Sequence, residues 1–236
     1  MSREASESSR ATHARERAGT ITHLAVQPHQ PTRVAVFLDG VLACDISQDV
    51  VCAWGLRIGR TLSAAEQVHL AAAEQLMAAQ AIAMQYLAAR PRTAHEVQQK
   101  LHRHGVADGI IEQVMARLHA CGALDDAAYV HAYLTSRLTS RGYGPQRLRR
   151  ELHQRGVSRA LVTEAVQQDL AAEDVLAAAR VQATKRWPRL AREAHHGKRR
   201  QKLHDFLRRR GFPAAIVQQV LTEVVQGKGT AADEEA

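Results

Sequence analysis

The residues considered first for metal binding or acid–base chemistry are thirteen histidines, three cysteines and the adjacent acidic pair Asp125–Asp126. His102 and His104 are two residues apart and point to different sides of a helix, and the cysteines form no C-x-x-C motif. The acidic pair Asp125–Asp126 has a structural explanation, because Asp125 can cap a helix that begins at Asp126. We therefore predict no catalytic residue, no bound metal and no cofactor.

Glycine-rich loops that hold phosphates, and other short catalytic motifs, have recognisable sequence patterns. The sequence contains no G-x-x-x-x-G-K-[ST], G-x-G-x-x-G, H-E-x-x-H or G-x-S-x-G pattern. Gly142–Tyr143–Gly144 resembles a phosphate loop, but Pro145 follows directly and no strand precedes it, which favours a junction between two helices. The sequence thus predicts a binding protein and not an enzyme.

Arginine and lysine supply the remaining chemistry, which is the binding of phosphate or carboxylate groups. The formal net charge is +8, and residues 185–226 carry eleven Lys and Arg against three Asp and Glu. Such a surface attracts DNA, RNA or an acidic protein, although a solvated helix face explains part of it equally well. We identify ten candidate partner-binding residues: Arg147, Arg149, Arg150, Lys198, Arg199, Arg200, Lys202, Arg208, Arg209 and Arg210.

The elements that position these side chains begin after a polar leader, residues 1–31, which we expect to be disordered. A small β-containing element follows. Val34, Val36 and Leu38 alternate with their neighbours, and Asp39–Gly40 comes next, which is a strong signal for a two-residue hairpin. The return strand is expected to begin at Val41.

A short helix and one further strand complete the predicted N-terminal element. Ser47 is placed to cap a helix that ends near Gly55. Leu56 and Ile58 suggest one more short strand. From Ser63 onward the pattern is helical, and the Ser63/Glu66 spacing of a capping box marks the first long helix.

Three glycines mark an internal repeat in the helical part. Gly105, Gly156 and Gly211 each follow leucines or valines at minus four and minus eight, and each precedes an apolar residue. Apolar residues four apart line one face of a helix, and glycine accepts the left-handed conformation that ends it. We therefore predict three tandem units, each a helix followed by a helix–glycine turn–helix pair, that pack on one another.

The predicted fold class is mostly α, with three tandem three-helix repeats in an elongated array. The predicted divisions are a leader at 1–31, a β-containing element at 32–62, a connecting helix at 63–80, repeats at 81–125, 126–172 and 173–226, and an acidic disordered tail at 227–236.

Four segments in this order resemble the RecX family of recombination regulators. They are A-A-R-P-R-T-A-H-E-V-Q-Q-K-L (88–101), G-A-L-D-D-A-A-Y (122–129), S-R-G-Y-G-P-Q-R-L-R-R-E-L-H-Q-R-G-V (140–157) and F-L-R-R-R-G-F (206–212). The resemblance covers about residues 81–225. Val130 departs from the family pattern, and residues 187–197 lengthen the third repeat.

The resemblance implies an all-helical modulator of the RecA recombinase with no enzymatic activity of its own. Proteins of this family lie along the RecA filament on single-stranded DNA and inhibit or modulate its ATP hydrolysis, strand exchange and co-protease action. Independently of the resemblance, we expect the basic edge formed by the ten residues named above to face RecA or DNA phosphate.

Two other functions remain open from the sequence. The first is a basic helical-repeat module that binds nucleic acid weakly and without sequence preference, and the second is an adaptor for another acidic protein. No apolar run is long enough to cross a membrane, and the N-terminus lacks the apolar core of a secretory signal. We expect a cytoplasmic monomer without membrane contact.

Overall fold

The computed structural model describes residues 18–225, which form two compact units. One unit holds the residues up to Ala89 together with Lys100–Arg117, and the other holds Arg90–Gln99 with the residues from Leu118 onward. The predicted acidic tail at 227–236 and most of the predicted leader lie outside the described residues.

The first unit contains a four-stranded antiparallel sheet of order β3-β2-β1-β4. The strands are β1 (Gly19–Gln27), β2 (Gln30–Leu38), β3 (Val41–Ser47) and β4 (Thr61–Leu62). The predicted hairpin is confirmed, because Asp39 and Gly40 both take positive φ angles, 48° and 82°, as a type I′ turn requires.

Two details of the N-terminal prediction were wrong. Strand β1 lies within the predicted disordered leader 1–31; a register shift after Ile21 interrupts its alternation, so a period-2 pattern does not reveal it. The strand predicted at Leu56–Ile58 is also absent from the structure. Leu56 is buried in the core, Ile58 is 63% exposed, and the short strand β4 begins only after the turn at Gly59.

Two helices pack with this sheet. Helix α1 (Gln48–Ala53) is capped by Ser47, as predicted. Helix α2 (Ala64–Ala89) is one continuous helix across the predicted boundary at residue 80, and its first turn carries the predicted capping box. The Glu74 side chain of α2 accepts hydrogen bonds from the Ser47 amide and from Arg33, which joins this helix to the sheet.

Eight further α-helices, and one short 3-10 helix at Pro188–Leu190, follow α2 in the described part of the chain. The α-helices are α3 (Ala94–Arg103), α4 (Asp108–Ala120), α5 (Asp126–Arg141), α6 (Pro145–Gln154), α7 (Arg159–Asp169), α8 (Ala172–Arg186), α9 (His196–Arg209) and α10 (Ala214–Val225). No strand occurs between residues 63 and 225, as predicted.

The three glycine turns share one geometry. Gly105, Gly156 and Gly211 have φ angles of 72°, 76° and 88°. In each turn the amide that follows the glycine donates to the carbonyl five residues earlier, and that residue is a fully buried leucine. The internal repeat that the spacing predicts is therefore present in the fold, and the apolar residue after each glycine packs back on the helix it ends.

Candidate anion-binding groove

Helices α6 and α9, which belong to the second and third repeats, meet at a pair of glycines. The amide of Gly144 donates to the carbonyl of Arg210 over 2.8 Å, and the amide of Gln146 donates to that of Gly211 over 3.0 Å. A Cβ atom on Gly144 would lie 2.5 Å from the carbonyl of Gly211. The backbones thus touch, and the start of α6 lies on the end of α9.

This contact brings arginines from two repeats to one groove. The groove has a volume of about 740 Å³, and its lining is Gln146, Arg147, Arg150, Arg208 and Arg209. Four of these five side chains are guanidinium groups, and none is acidic. Because guanidinium pairs with carboxylate and phosphate in a bidentate manner, the groove is suited to an anionic partner.

The four arginines differ in how firmly the protein itself holds them. Arg147 donates to Glu151 over 2.8 Å and lies over the ring of Tyr143, 3.6 Å from its centroid. Arg208 donates to the carbonyl of Phe212 over 3.1 Å. Arg150 and Arg209 are exposed. These last two side chains are therefore the members of the groove most available to a partner.

Arg210 has an internal role. Its guanidinium donates to the carbonyls of Arg141 and Gly142, at 2.5 and 3.3 Å, and so caps the end of α5. It also lies 4.8 Å from the centroid of the Phe206 ring. Burial lowers the pKa of this guanidinium. The contacts identify Arg210 as a residue that joins the second repeat to the third.

The remaining candidate residues lie outside the groove. Arg199 stacks on Trp187 at 3.8 Å and donates to its carbonyl, and Lys202 pairs with Glu193. Lys198 and Arg200 are exposed on α9, and Arg149 is partly buried. The structure therefore brings together four of the ten predicted residues and places the other six elsewhere on the same helices or in internal contacts.

A second cleft lies beside α6 and contains arginines that the sequence analysis did not select. Its lining includes Arg137, Arg141, Arg155, Gln154 and the rings of Tyr133 and Tyr143, together with Glu96 and Glu151. The spacing of Arg137 and Arg141, one helical turn apart, was the available signal. The search for candidate residues followed the basic segments near the glycine turns, and these two arginines lie earlier, at the end of α5.

Glu151 lines the second cleft and also holds Arg147 of the groove. It accepts hydrogen bonds from the hydroxyl of Tyr133 at 2.5 Å and from Arg147, and Arg155 donates to the same hydroxyl at 2.8 Å. Desolvation raises the pKa of Glu151, but the bonds from Tyr133 and Arg147 outweigh it and hold the pKa below its ordinary value. The ionised carboxylate thus fixes Tyr133 and Arg147, and the Tyr133 hydroxyl in turn holds Arg155.

The acidic pair Asp125–Asp126 has structural roles in the described part of the chain. Within residues 18–225, no three His, Cys, Asp or Glu side chains are grouped closely enough to hold a metal ion. Asp125 caps α5 through the amide of Ala128, as predicted, and Asp126 accepts the amide of Ala94 at 2.9 Å. None of the described helices is long and apolar enough to span a membrane.

These features define a tandem three-helix-repeat protein with a basic groove between its second and third repeats. Models of the RecX first, second and third three-helix domains match residues 79–118, 125–166 and 172–221. The chain belongs to the RecX family, as the four sequence segments suggested.

Individual relatives agree with this assignment. The chain is 28% identical to regulatory protein RecX of Bacillus licheniformis over 216 residues, which cover 92% of this chain and 81% of the relative. It is 35% identical to regulatory protein RecX of Prosthecochloris aestuarii over 143 residues, which cover 61% and 91%. A crystal structure of regulatory protein RecX shares the fold with a TM-score of 0.71 at 24% identity, covering 87% of this chain and 100% of that one.

Proposed function

We propose that this protein is a non-enzymatic regulator that binds the RecA filament on single-stranded DNA and inhibits or modulates its ATPase, strand-exchange and co-protease activities. The observation that carries the proposal is the match to all three RecX three-helix domains in order along the chain. The matched relatives are named regulatory proteins. We propose further that the protein acts as a cytoplasmic monomer.

The groove between α6 and α9 gives this function a physical basis. Arg150 and Arg209 project from different repeats into one cavity, so a partner that reaches both contacts two repeats at once. Acidic side chains of RecA or phosphates of the bound DNA satisfy these guanidinium groups. Several modest contacts of this kind act together as a multivalent set, which suits a partner built from repeated protomers.

The alternative is a module that binds nucleic acid without sequence preference, and the basic lining of the groove favours it. This alternative predicts affinity for bare DNA that falls steeply with salt, because binding releases counterions from the phosphates. It also predicts that excess DNA relieves any inhibition of RecA. Filament regulation predicts inhibition that persists when DNA is in excess.

The deciding experiment is a titration of single-stranded-DNA-dependent ATP hydrolysis by the cognate RecA at physiological salt, with DNA in excess. Inhibition at less than one protein per RecA protomer supports filament regulation. If inhibition vanishes as DNA is added, competition for bare strand explains it and the alternative is preferred. If ATP hydrolysis is unchanged and the protein does not bind RecA filaments, the proposed function is wrong.

A further inference from the structure

A third cavity in the second unit has the opposite character to the basic groove. It has a volume of about 400 Å³ and lies between α5 and α8. Apolar groups of Leu138, Leu170, Ala178 and Val181 form its walls. Val181 is 48% exposed, so this apolar wall is open to water in the free protein. A cavity of this size and composition falls in the range of binding sites for small groups.

Two carboxylates lie at this cavity. Asp169 is 14% exposed, and its Oδ1 atom is 2.9 Å from Nδ1 of His131. Asp174 lies in the first turn of α8 and is exposed. Within residues 18–225, no hydrogen bond or ion pair engages the Asp174 carboxylate. The cavity therefore combines apolar walls with an acidic group that has no partner in the described part of the chain.

Gln182 and Gly142 form one end of the cavity. A Cβ atom on Gly142 would lie 2.1 Å from Nε2 of Gln182, so the glutamine side chain packs directly on the glycine backbone. Gly142 is also the left-handed C-cap of α5, with a φ of 59°. The same loop continues through Tyr143, which lines the second cleft, to Gly144 beside the groove between α6 and α9. One short segment thus borders an acidic, apolar cavity on one side and cationic cavities on the other.

We infer that this cavity binds an arginine or lysine side chain of a partner protein. Its aliphatic stem packs on Val181, Ala178 and Leu138, and its cation pairs with Asp174 and Asp169. Charge argues against nucleic acid as the occupant, because both carboxylates repel phosphate. Long basic side chains bury an apolar stem and keep the charged end near the solvent, which is the arrangement that the cavity offers.

The identity of the partner as RecA rests on the proposed function, whereas the chemistry of the cavity does not. The two are therefore tested separately. The first probe is n-butylguanidinium, which carries the stem and cation of an arginine side chain. Two compounds of similar length serve as controls: pentanoate carries the opposite charge, and 1-pentanol carries no charge.

The first experiment follows the methyl resonances of Leu138, Leu170 and Val181 by NMR in the full chain during titration with each probe. Butylguanidinium is expected to shift them saturably and to bind at least fivefold more tightly than 1-pentanol, while pentanoate leaves them unchanged. Asp174→Asn is expected to weaken the binding of butylguanidinium at least threefold. Glu173 is an exposed neighbour that lies outside the cavity, and Glu173→Gln is expected to leave the binding unchanged. Equal shifts with pentanoate, or no shift with butylguanidinium, overturn the inference.

The second experiment compares Asp174→Lys with Glu173→Lys in binding to RecA filaments. The two variants change the net charge equally and lie in the same helical turn. Asp174→Lys is expected to weaken binding at least tenfold and Glu173→Lys less than twofold. Equal effects overturn the cavity as a RecA contact. If the unaltered protein does not bind filaments while butylguanidinium still occupies the cavity, the proposed function fails and the cavity assignment stands.

Discussion

At the scale of single residues, neighbouring arginines in the sequence have different tasks. Arg209 is exposed in the groove, and Arg210 donates to two backbone carbonyls at the end of α5. The sequence R-R-R at 208–210 offers no means of telling them apart. Only the position of each side chain relative to the contact between α6 and α9 separates an arginine that is exposed in the groove from one that supports the fold.

The first prediction concerns this adjacent pair. Arg210→Gln is expected to lower the free energy of unfolding by about 1.5–3 kcal/mol, because two hydrogen bonds from a charged group to the carbonyls at the end of α5 are lost. Arg209→Gln is expected to change it by less than about 0.5 kcal/mol, as for most surface substitutions. Urea unfolding at pH 7 measures both. Equal losses of stability would show that Arg210 does not join the two repeats.

The second prediction concerns the ionisation of Glu151. Because its folded-state pKa is held below the ordinary value by the hydrogen bonds from Tyr133 and Arg147, the carboxylate adds stability that is present above the unfolded pKa and is lost as pH falls through the folded value. Glu151→Gln is therefore expected to reduce the difference in unfolding free energy between pH 6 and pH 3.5. Urea unfolding of both proteins at the two pH values measures this difference. An unchanged difference would mean that Glu151 is not stabilised in its ionised form.

At the scale of helices and strands, the sequence predicts most of the fold because its signals are local. The glycine turns, the Ser63/Glu66 capping box and the Asp39–Gly40 hairpin each depend on a few adjacent residues, and all are present in the structure. Strand β1 was missed because a register shift interrupts its alternation. Local sequence patterns do not predict the groove between α6 and α9, because it depends on a backbone contact between residues 67 positions apart (144 and 211).

The third prediction tests that backbone contact. Gly144→Ala places a methyl group 2.5 Å from the carbonyl of Gly211, and we expect a loss of about 1–3 kcal/mol of stability, as for overpacked sites. Gly197→Ala is the control, because it lies in the first turn of α9 and a Cβ there meets nothing within 4 Å. It is expected to be neutral or stabilising by up to about 1 kcal/mol. Thermal or urea unfolding compares them, and a tolerated Gly144→Ala would contradict the close approach.

At the scale of the whole molecule, the second unit contains one cavity lined by positive charge and another lined by negative charge. The groove at α6 and α9 presents arginines, and the cavity at α5 and α8 presents aspartates beside apolar walls. A regulator with both can pair with acidic and basic groups of the same partner, which favours one orientation on it. The net charge of +8 then governs how fast partners meet and how strongly salt weakens the encounter.

The most direct test of the central claim compares two double variants in the RecA ATPase assay at physiological salt with DNA in excess. Arg150→Gln/Arg209→Gln removes two charges from the groove, and Arg159→Gln/Lys185→Gln removes two exposed charges elsewhere in the same unit. We predict that the groove variant needs at least tenfold more protein for half-maximal inhibition, while the control stays within twofold of the unaltered protein. Equal behaviour of the two variants would contradict a specific role for the groove between the second and third repeats.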